Sequence, residues 1–187
     1  GDWNFATIFS RRFMPSASVF NGKIYVFGGA SSINGPVLNA VEVYDPESDS
    51  WSKCSDMPTA RSHLTTSTVD DKIYAIGGVG DPPSWPALSV FEVYDPIDDS
   101  WKIEKELSVP RIGCHSSIVD NKIYASGGLL DFNTSSNRTD VYDPKNKTWT
   151  QLTDMPTARG ELSSVEVNKQ IYVIGGIAAV GKRSLGT

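Results

Sequence analysis

Four arginines recur at a nearly constant spacing, and they are the side chains best suited to hold a ligand. They stand at intervals of 49, 50 and 48 residues, at Arg12, Arg61, Arg111 and Arg159. A guanidinium presents a planar fork of donors that pairs bidentately with a carboxylate. On one face of the fold, these side chains would favour an acidic or carboxylate-bearing partner. The structural alternative is that each arginine binds backbone carbonyls between repeats.

Residues for catalysis or metal binding are few. The chain has two histidines, His63 and His115, which fall in different repeats, so a metal centre built on histidines is not expected. Glu161 and Glu166 are the acidic candidates for acid-base work. Neither a glycine-rich phosphate loop before a helix nor a serine nucleophile elbow is present. We therefore expect no cofactor and no metal.

The composition of the 187 residues argues against two classes of partner. Seventeen Lys and Arg against twenty-two Asp and Glu give a net charge of −5, which repels the phosphate backbone of nucleic acid. No window approaches the roughly 18 uninterrupted apolar residues that a membrane span needs. Neither a nucleic acid nor a membrane is expected as a partner.

Short motifs recur in register with the arginines and define a repeat of about 50 residues. A Gly-Gly pair lies sixteen residues after each arginine, and Ile-Tyr precedes each pair. Between successive pairs lies Tyr-Asp-Pro, with a Trp seven residues after the Tyr. The Gly-Gly pairs begin at Gly28, Gly77, Gly127 and Gly175, and the Tyr and Trp positions are Tyr44, Tyr94, Tyr142, Trp51, Trp101 and Trp149.

Each repeat predicts four short β-strands rather than helices. In the second repeat, residues rich in Val, Ile, Tyr, Trp and Thr occupy 62–69, 72–76, 90–94 and 100–103, with turn residues between them. Asn21-Gly22 is the strongest two-residue hairpin signal. Asp-Pro suits the first places of a type I turn between the third and fourth strands.

With these motifs in register, the chain resembles the kelch family of β-propellers over almost its whole length. The resemblance implies an all-β fold of four-stranded antiparallel meander blades around an axis, with about 3.75 blades present. We place the fourth strand of a preceding blade at 1–10, blade 1 at 11–54, blade 2 at 60–106, blade 3 at 110–152 and a partial blade 4 at 158–187. The unpaired edges of such a partial propeller predict that it needs further blades or self-association.

The resemblance also implies where a partner binds. The connections between second and third strands are long and dissimilar, at 30–40, 79–89, 129–139 and from 177 onward. In kelch substrate adaptors this face docks protein ligands, and binding residues concentrate on such loops. The face carries eight bases, Lys182 and Arg183 among them, against four acids, which favours an acidic protein or peptide. The predicted partner-binding residues are Arg61, His63, Trp85, Arg111, Phe132, Arg138, Arg159 and Glu161.

Two of these residues are aromatic side chains outside the repeat register. Trp85 lies in a proline-rich loop that loses little entropy on ordering, so it is a candidate interface anchor. The alternative is that it folds back over the edge of its blade. Phe132 has a similar but weaker claim, since its neighbours are polar.

Two functions from different classes follow from the resemblance. The first, which we favour, is a protein-binding module without enzymatic activity. The alternative is a sugar-processing propeller similar to the sialic acid epimerases, in which Glu161 or Glu166 acts as acid or base. The compartment stays open: the cytoplasm is favoured over secretion, and three glycosylation sequons keep secretion in consideration.

Overall fold

The computed structural model of the chain describes residues 10–178, which form β-strands and no helix. Three four-stranded sheets and two two-stranded sheets account for all the strands in that range. The predicted all-β fold of four-stranded antiparallel meanders is confirmed. Within residues 10–178 no helix is long and apolar enough to cross a membrane. Residues 1–9 of the strand predicted at 1–10 and the basic residues Lys182 and Arg183 lie outside the described residues.

Consecutive strands of each large sheet are antiparallel neighbours. The first sheet contains β1 (Ser16–Phe20), β2 (Lys23–Phe27), β3 (Val41–Asp45) and β4 (Ser50–Cys54). The second contains β5 (Thr65–Val69), β6 (Lys72–Ile76), β7 (Phe91–Asp95) and β8 (Ser100–Ile103). The third contains β9 (His115–Val119), β10 (Lys122–Ser126), β13 (Thr139–Asp143) and β14 (Thr148–Gln151). A small hairpin of β11 (Leu129–Asp131) and β12 (Thr134–Ser135) precedes β13, and β15 (Ser163–Val167) pairs with β16 (Gln170–Ile174).

The turns follow the local chemistry of the sequence. Asn21 and Gly22 join β1 to β2 with φ angles of 48° and 74°, as a type I′ turn requires. In the turn after β3, the Asp45 carboxylate accepts the backbone N–H of Glu47 at 2.9 Å. Asp95 does the same for Ile97. These side-chain caps hold the third and fourth strands of each sheet in register.

Two strand boundaries of the second sheet differ from the sequence prediction. The first strand begins at Thr65 rather than at residue 62. His63 has a φ of 52°, and this left-handed residue interrupts an extended backbone before β5. The third strand is shifted by one residue and spans Phe91–Asp95.

Successive sheets pack face to face, with their first strands innermost. The first strands β1, β5, β9 and β15 contact one another in that order. Small hydroxyl side chains join them, as where Ser16 Oγ and Thr66 Oγ1 lie 2.9 Å apart. Farther out, the Phe27 ring lies 6.0 Å from those of Tyr94 and Trp101 in the next sheet. The recurring Tyr and Trp therefore join sheet to sheet, and the connections between strands are left to form the ends of the assembly.

Candidate functional site

The long connections gather at one end of the sheets, which we call the loop face. It is formed by the loops between second and third strands and by the segments that join one sheet to the next. In the described part of the chain these are residues 30–40, 79–90 and 127–138, together with 10–15, 55–64, 104–114 and 152–162.

The repeated arginines point into the protein rather than out of the loop face. Arg61 Nη1 lies 2.8 Å from Glu92 Oε2, and neither side chain is accessible. Arg111 Nη2 lies 2.6 Å from Asp140 Oδ2 in an equally buried pair. Burial lowers the pKa of Arg61, and the adjacent Glu92 carboxylate opposes that change. Both guanidiniums are enclosed and ion-paired, and contact of Arg61 or Arg111 with a ligand stays a prediction.

The arginines also bind carbonyls, as the structural alternative from the sequence proposed. Arg12 Nη1 donates to the carbonyls of Gly28 and Ala40, each at 3.0 Å. Half-buried Arg159 donates to the Gly175 carbonyl at 2.8 Å. Gly28 allows the backbone at Arg61 to approach closely, since a Cβ at residue 28 would lie 2.3 Å from the Arg61 carbonyl oxygen. The constant spacing between each arginine and its Gly-Gly pair therefore serves the packing of neighbouring sheets.

Arg138 lies on the loop face, but its guanidinium is held by the protein. Its Nε and Nη2 donate to the two carboxylate oxygens of Asp140, each at 2.8 Å. Nη2 also donates to Ser108 Oγ at 2.7 Å. The hydrogen bond to Asp140 raises the pKa of Arg138. Asp140 therefore serves two arginines, and Arg138 acts as part of a structural network in this conformation.

A cavity of about 490 Å³ opens on the loop face and brings three predicted residues together. We call it the aromatic cavity. Its large side chains come from the loops of three sheets and are Phe13, Met14, Ile33, His63, Trp85 and Phe132.

Trp85 packs back on the protein and also lines the aromatic cavity, and its role as an interface anchor stays a prediction. It is half-buried and packs over a small cluster of Val79, Ile112 and Leu129, while its remaining surface lines the aromatic cavity. Phe132 packs on the same cluster and sits at the turn of the β11–β12 hairpin. The scaffold therefore fixes both rings from behind and leaves one side of each facing the cavity.

Three of the six large side chains of the aromatic cavity were not predicted from the sequence. Phe13, Met14 and Ile33 are 48%, 55% and 77% exposed, and together they form an exposed apolar patch at the cavity. A signal for Met14 was available: it stands two residues after Arg12, as His63 stands two residues after Arg61.

The position two residues after each repeated arginine has a left-handed backbone, and hydrogen bonds join its backbone from one repeat to the next. Met14, His63, Gly113 and Glu161 have φ angles of 49°, 52°, 56° and 51°. The backbone N–H of each donates to the carbonyl of the one before it, from His63 to Met14 at 3.0 Å and onward at 2.9 Å. Left-handed residues other than glycine carry strain that often marks a functional position.

His63 and Glu161 meet beside the aromatic cavity. His63 Nε2 lies 3.9 Å from Glu161 Oε1, and both side chains line a second cavity of about 310 Å³. Glu166 lies elsewhere: its carboxylate accepts the backbone N–H of Lys169 at the β15–β16 turn. Of the two acid-base candidates, Glu161 alone belongs to the loop face. Within residues 10–178 no three His, Cys, Asp or Glu side chains are grouped as metal ligands.

Comparison with known proteins agrees with the repeat and the sheets. The family described as the KLHDC2/KLHL20/DRC7 Kelch-repeats domain matches residues 6–176. The chain belongs to the kelch-repeat family. Among curated kelch relatives, Kelch-like protein 15 of Danio rerio is 39% identical over 64 residues, which cover 32% of this chain and 11% of that protein. Alpha-scruin of Limulus polyphemus is 39% identical over 64 residues, covering 34% of this chain and 7% of alpha-scruin.

The kelch chain thus matches only a small part of the length of these relatives. A solved structure, that of YjhT, superposes with a TM-score of 0.70 at 16% identity, covering 94% of this chain and 80% of YjhT. That likeness shows the shared propeller fold alone.

Proposed function

We propose that this kelch domain binds a protein or peptide partner at its loop face, and that the aromatic cavity receives an apolar side chain of that partner. The observation that carries the proposal is the convergence of exposed and half-buried apolar side chains from the loops of three sheets on one cavity of about 490 Å³. Ligand pockets have volumes of roughly 300–1,000 Å³ and are lined mainly by apolar and aromatic groups.

Two features of the cavity support its proposed role as an interface anchor site. Trp85 and Phe132 are held from behind by Val79 and its neighbours, so they lose little freedom when a partner binds. Ile33 and Met14 contribute accessible apolar surface that a partner would remove from water. Buried aromatic anchors of this kind dominate the free energy of many protein interfaces.

The sugar-processing alternative would use the same face, with Glu161 beside His63 as its acid-base group. A carboxylated sugar is normally held by arginine. Arg61 and Arg111 are enclosed, however, and Arg138 is bound by Asp140. These contacts favour the proposal of a bound partner over that of a sugar-processing enzyme.

Selection from a random-peptide display library tests the proposal. The chain should enrich peptides with aromatic or large aliphatic residues, and the Trp85→Ala/Phe132→Ala variant should lose that enrichment. The control variant is Val19→Ala/Ile97→Ala, which removes two apolar side chains, 60% and 70% exposed, near the turns at the opposite end of the sheets. Equal enrichment by both variants would place the binding site elsewhere.

A further inference from the structure

We propose that the occupant of the aromatic cavity is a peptide segment that carries a lysine or arginine beside its apolar side chain. This inference rests on the proposed function, and it names the partner's chemistry. The cavity is the site, and the charges around its rim decide what enters it.

Four of the arginines that would attract an acidic segment are already paired with carboxylates. Arg12 is paired with Glu42, Arg61 with Glu92, and both Arg111 and Arg138 with Asp140. The side chains of the first three are almost fully buried. An incoming carboxylate would have to break these pairs, and separating a buried ion pair is strongly unfavourable.

Three exposed carboxylates remain around the cavity. Asp131 precedes the cavity residue Phe132, and Glu161 lies 3.9 Å from the cavity residue His63. Asp81 accepts the backbone N–H of Val37 at 2.9 Å, which ties it to the loop that carries Ile33. Among residues 10–178, neither lysine nor arginine forms an ion pair with any of the three.

Among residues 10–178, the exposed charged side chains around the cavity are therefore mainly acidic. Arg11 is an exposed base on the same side, against the carboxylates of Asp81, Asp131 and Glu161. A concave apolar surface with low-dielectric walls focuses such a field and raises the local concentration of cations. Charge complementarity of this kind selects partners and speeds their encounter. The burial of the arginines thus replaces the expectation of an acidic partner with that of a basic one.

Three blocked pentapeptides test the charge preference, with the sequences Gly-Lys-Phe-Lys-Gly, Gly-Gln-Phe-Gln-Gly and Gly-Glu-Phe-Glu-Gly. Binding is measured by titration of the isotope-labelled chain in nuclear magnetic resonance. The lysine peptide should bind at least about threefold more tightly than the glutamine peptide, and the glutamate peptide more weakly than both. The differences should largely vanish near about 1 M salt, where the screening length falls to about 3 Å.

Matched variants assign the effect to the rim. Asp131→Asn keeps an acceptor for the Asn133 N–H, which Asp131 Oδ1 now accepts at 2.7 Å, and it removes the charge alone. The double variant Asp131→Asn/Glu161→Gln should lower the affinity for the lysine peptide and leave the affinity for the glutamine peptide unchanged. Asp98→Asn, an exposed acid in the turn after β7, is the control and should change neither affinity.

Each of the other outcomes contradicts either the charge preference or the proposed anchor site. If all three peptides bind equally and Ile33→Ser weakens them all, the basic partner is excluded while the proposed function stands. If the glutamate peptide binds most tightly, the charge argument is wrong. If none of the peptides binds, both the inference and the proposed apolar anchor site fail.

Discussion

Arg61 and Glu92 form an ion pair at 2.8 Å in which neither side chain has accessible surface. The same pairing joins Arg12 to Glu42 and Arg111 to Asp140, and in each case the acid stands two residues before the Tyr of the repeat. The arginine lies before the first strand of a sheet and its acid lies on the third. The pair therefore ties the connection between sheets to the middle of the sheet that follows.

Removal of one partner of the buried pair should destabilise the protein more than replacement of both. Arg61→Met leaves the Glu92 carboxylate buried without its cation, so the free energy of unfolding should fall by about 3–5 kcal/mol. Arg61→Met combined with Glu92→Leu should recover much of that loss. Urea unfolding followed by circular dichroism measures both. Arg11→Met, at an exposed neighbour of Arg12, should change stability by no more than about 0.5 kcal/mol. Equal losses at Arg11 and Arg61 would contradict the assignment.

The ion pair between Lys72 and Asp95 predicts that the protein loses stability at acid pH. The hydrogen bond from Lys72 lowers the pKa of Asp95 below its ordinary value of 3.8. The folded state then binds fewer protons than the unfolded state, so this stabilisation is present above about pH 4 and is lost as the pH falls further. Asp95→Asn keeps an acceptor for the Ile97 N–H and removes the charge.

The melting temperature of parent and Asp95→Asn from pH 2 to pH 7 measures this effect. The parent should be the more stable at pH 6, and the two proteins should converge toward pH 2. Asp98→Asn is the control, since Asp98 forms no ion pair in the described part of the chain. A constant gap between parent and Asp95→Asn across the range would show that the lysine contact contributes nothing.

The outer face of the β15–β16 sheet predicts self-association. Val167, Tyr172 and Ile174 are each 47% or 48% exposed there. Their counterparts in the second sheet, Val69, Tyr74 and Ile76, are buried against the third sheet. We expect the 187-residue chain to associate through this face, because open apolar sheet surfaces seek partners.

Sedimentation equilibrium of the parent and of Tyr172→Ser/Ile174→Ser measures this association. The average mass of the variant should be lower than that of the parent, whereas Ile97→Ser should leave it unchanged. A parent that remains a monomer at tens of micromolar would contradict the prediction.

Local chemistry was sufficient to predict much of the fold. Asn21-Gly22 fixes its turn through backbone preference alone, and alternating β-branched and aromatic residues place β6 at Lys72–Ile76 as predicted. The β11–β12 hairpin was not predicted. Its strands, Leu129–Asp131 and Thr134–Ser135, are too short to show the alternation of apolar and polar residues that marks a strand.

The site was predicted only in part, since it depends on contacts between distant residues. Trp85 and Phe132 stood out as aromatics outside the repeat, and the structure brings them together with His63. The inward direction of Arg61 depends on Glu92, which lies thirty-one residues later on another strand. Ile33 gave no signal within its polar loop, because only the fold shows that it lines the same cavity as Trp85.

The most direct test of partner binding at the loop face uses two isoleucines of similar exposure. Ile33 is 77% exposed in the aromatic cavity, and Ile97 is 70% exposed in the turn after β7. Isothermal titration compares the parent, Ile33→Ser and Ile97→Ser with one peptide selected by the parent chain. Ile33→Ser should weaken binding at least about fivefold, since the lost apolar contact is worth about 1 kcal/mol or more, while Ile97→Ser should bind as the parent does. Equal affinities of all three proteins, or a loss confined to Ile97→Ser, would show that the aromatic cavity is not the binding site.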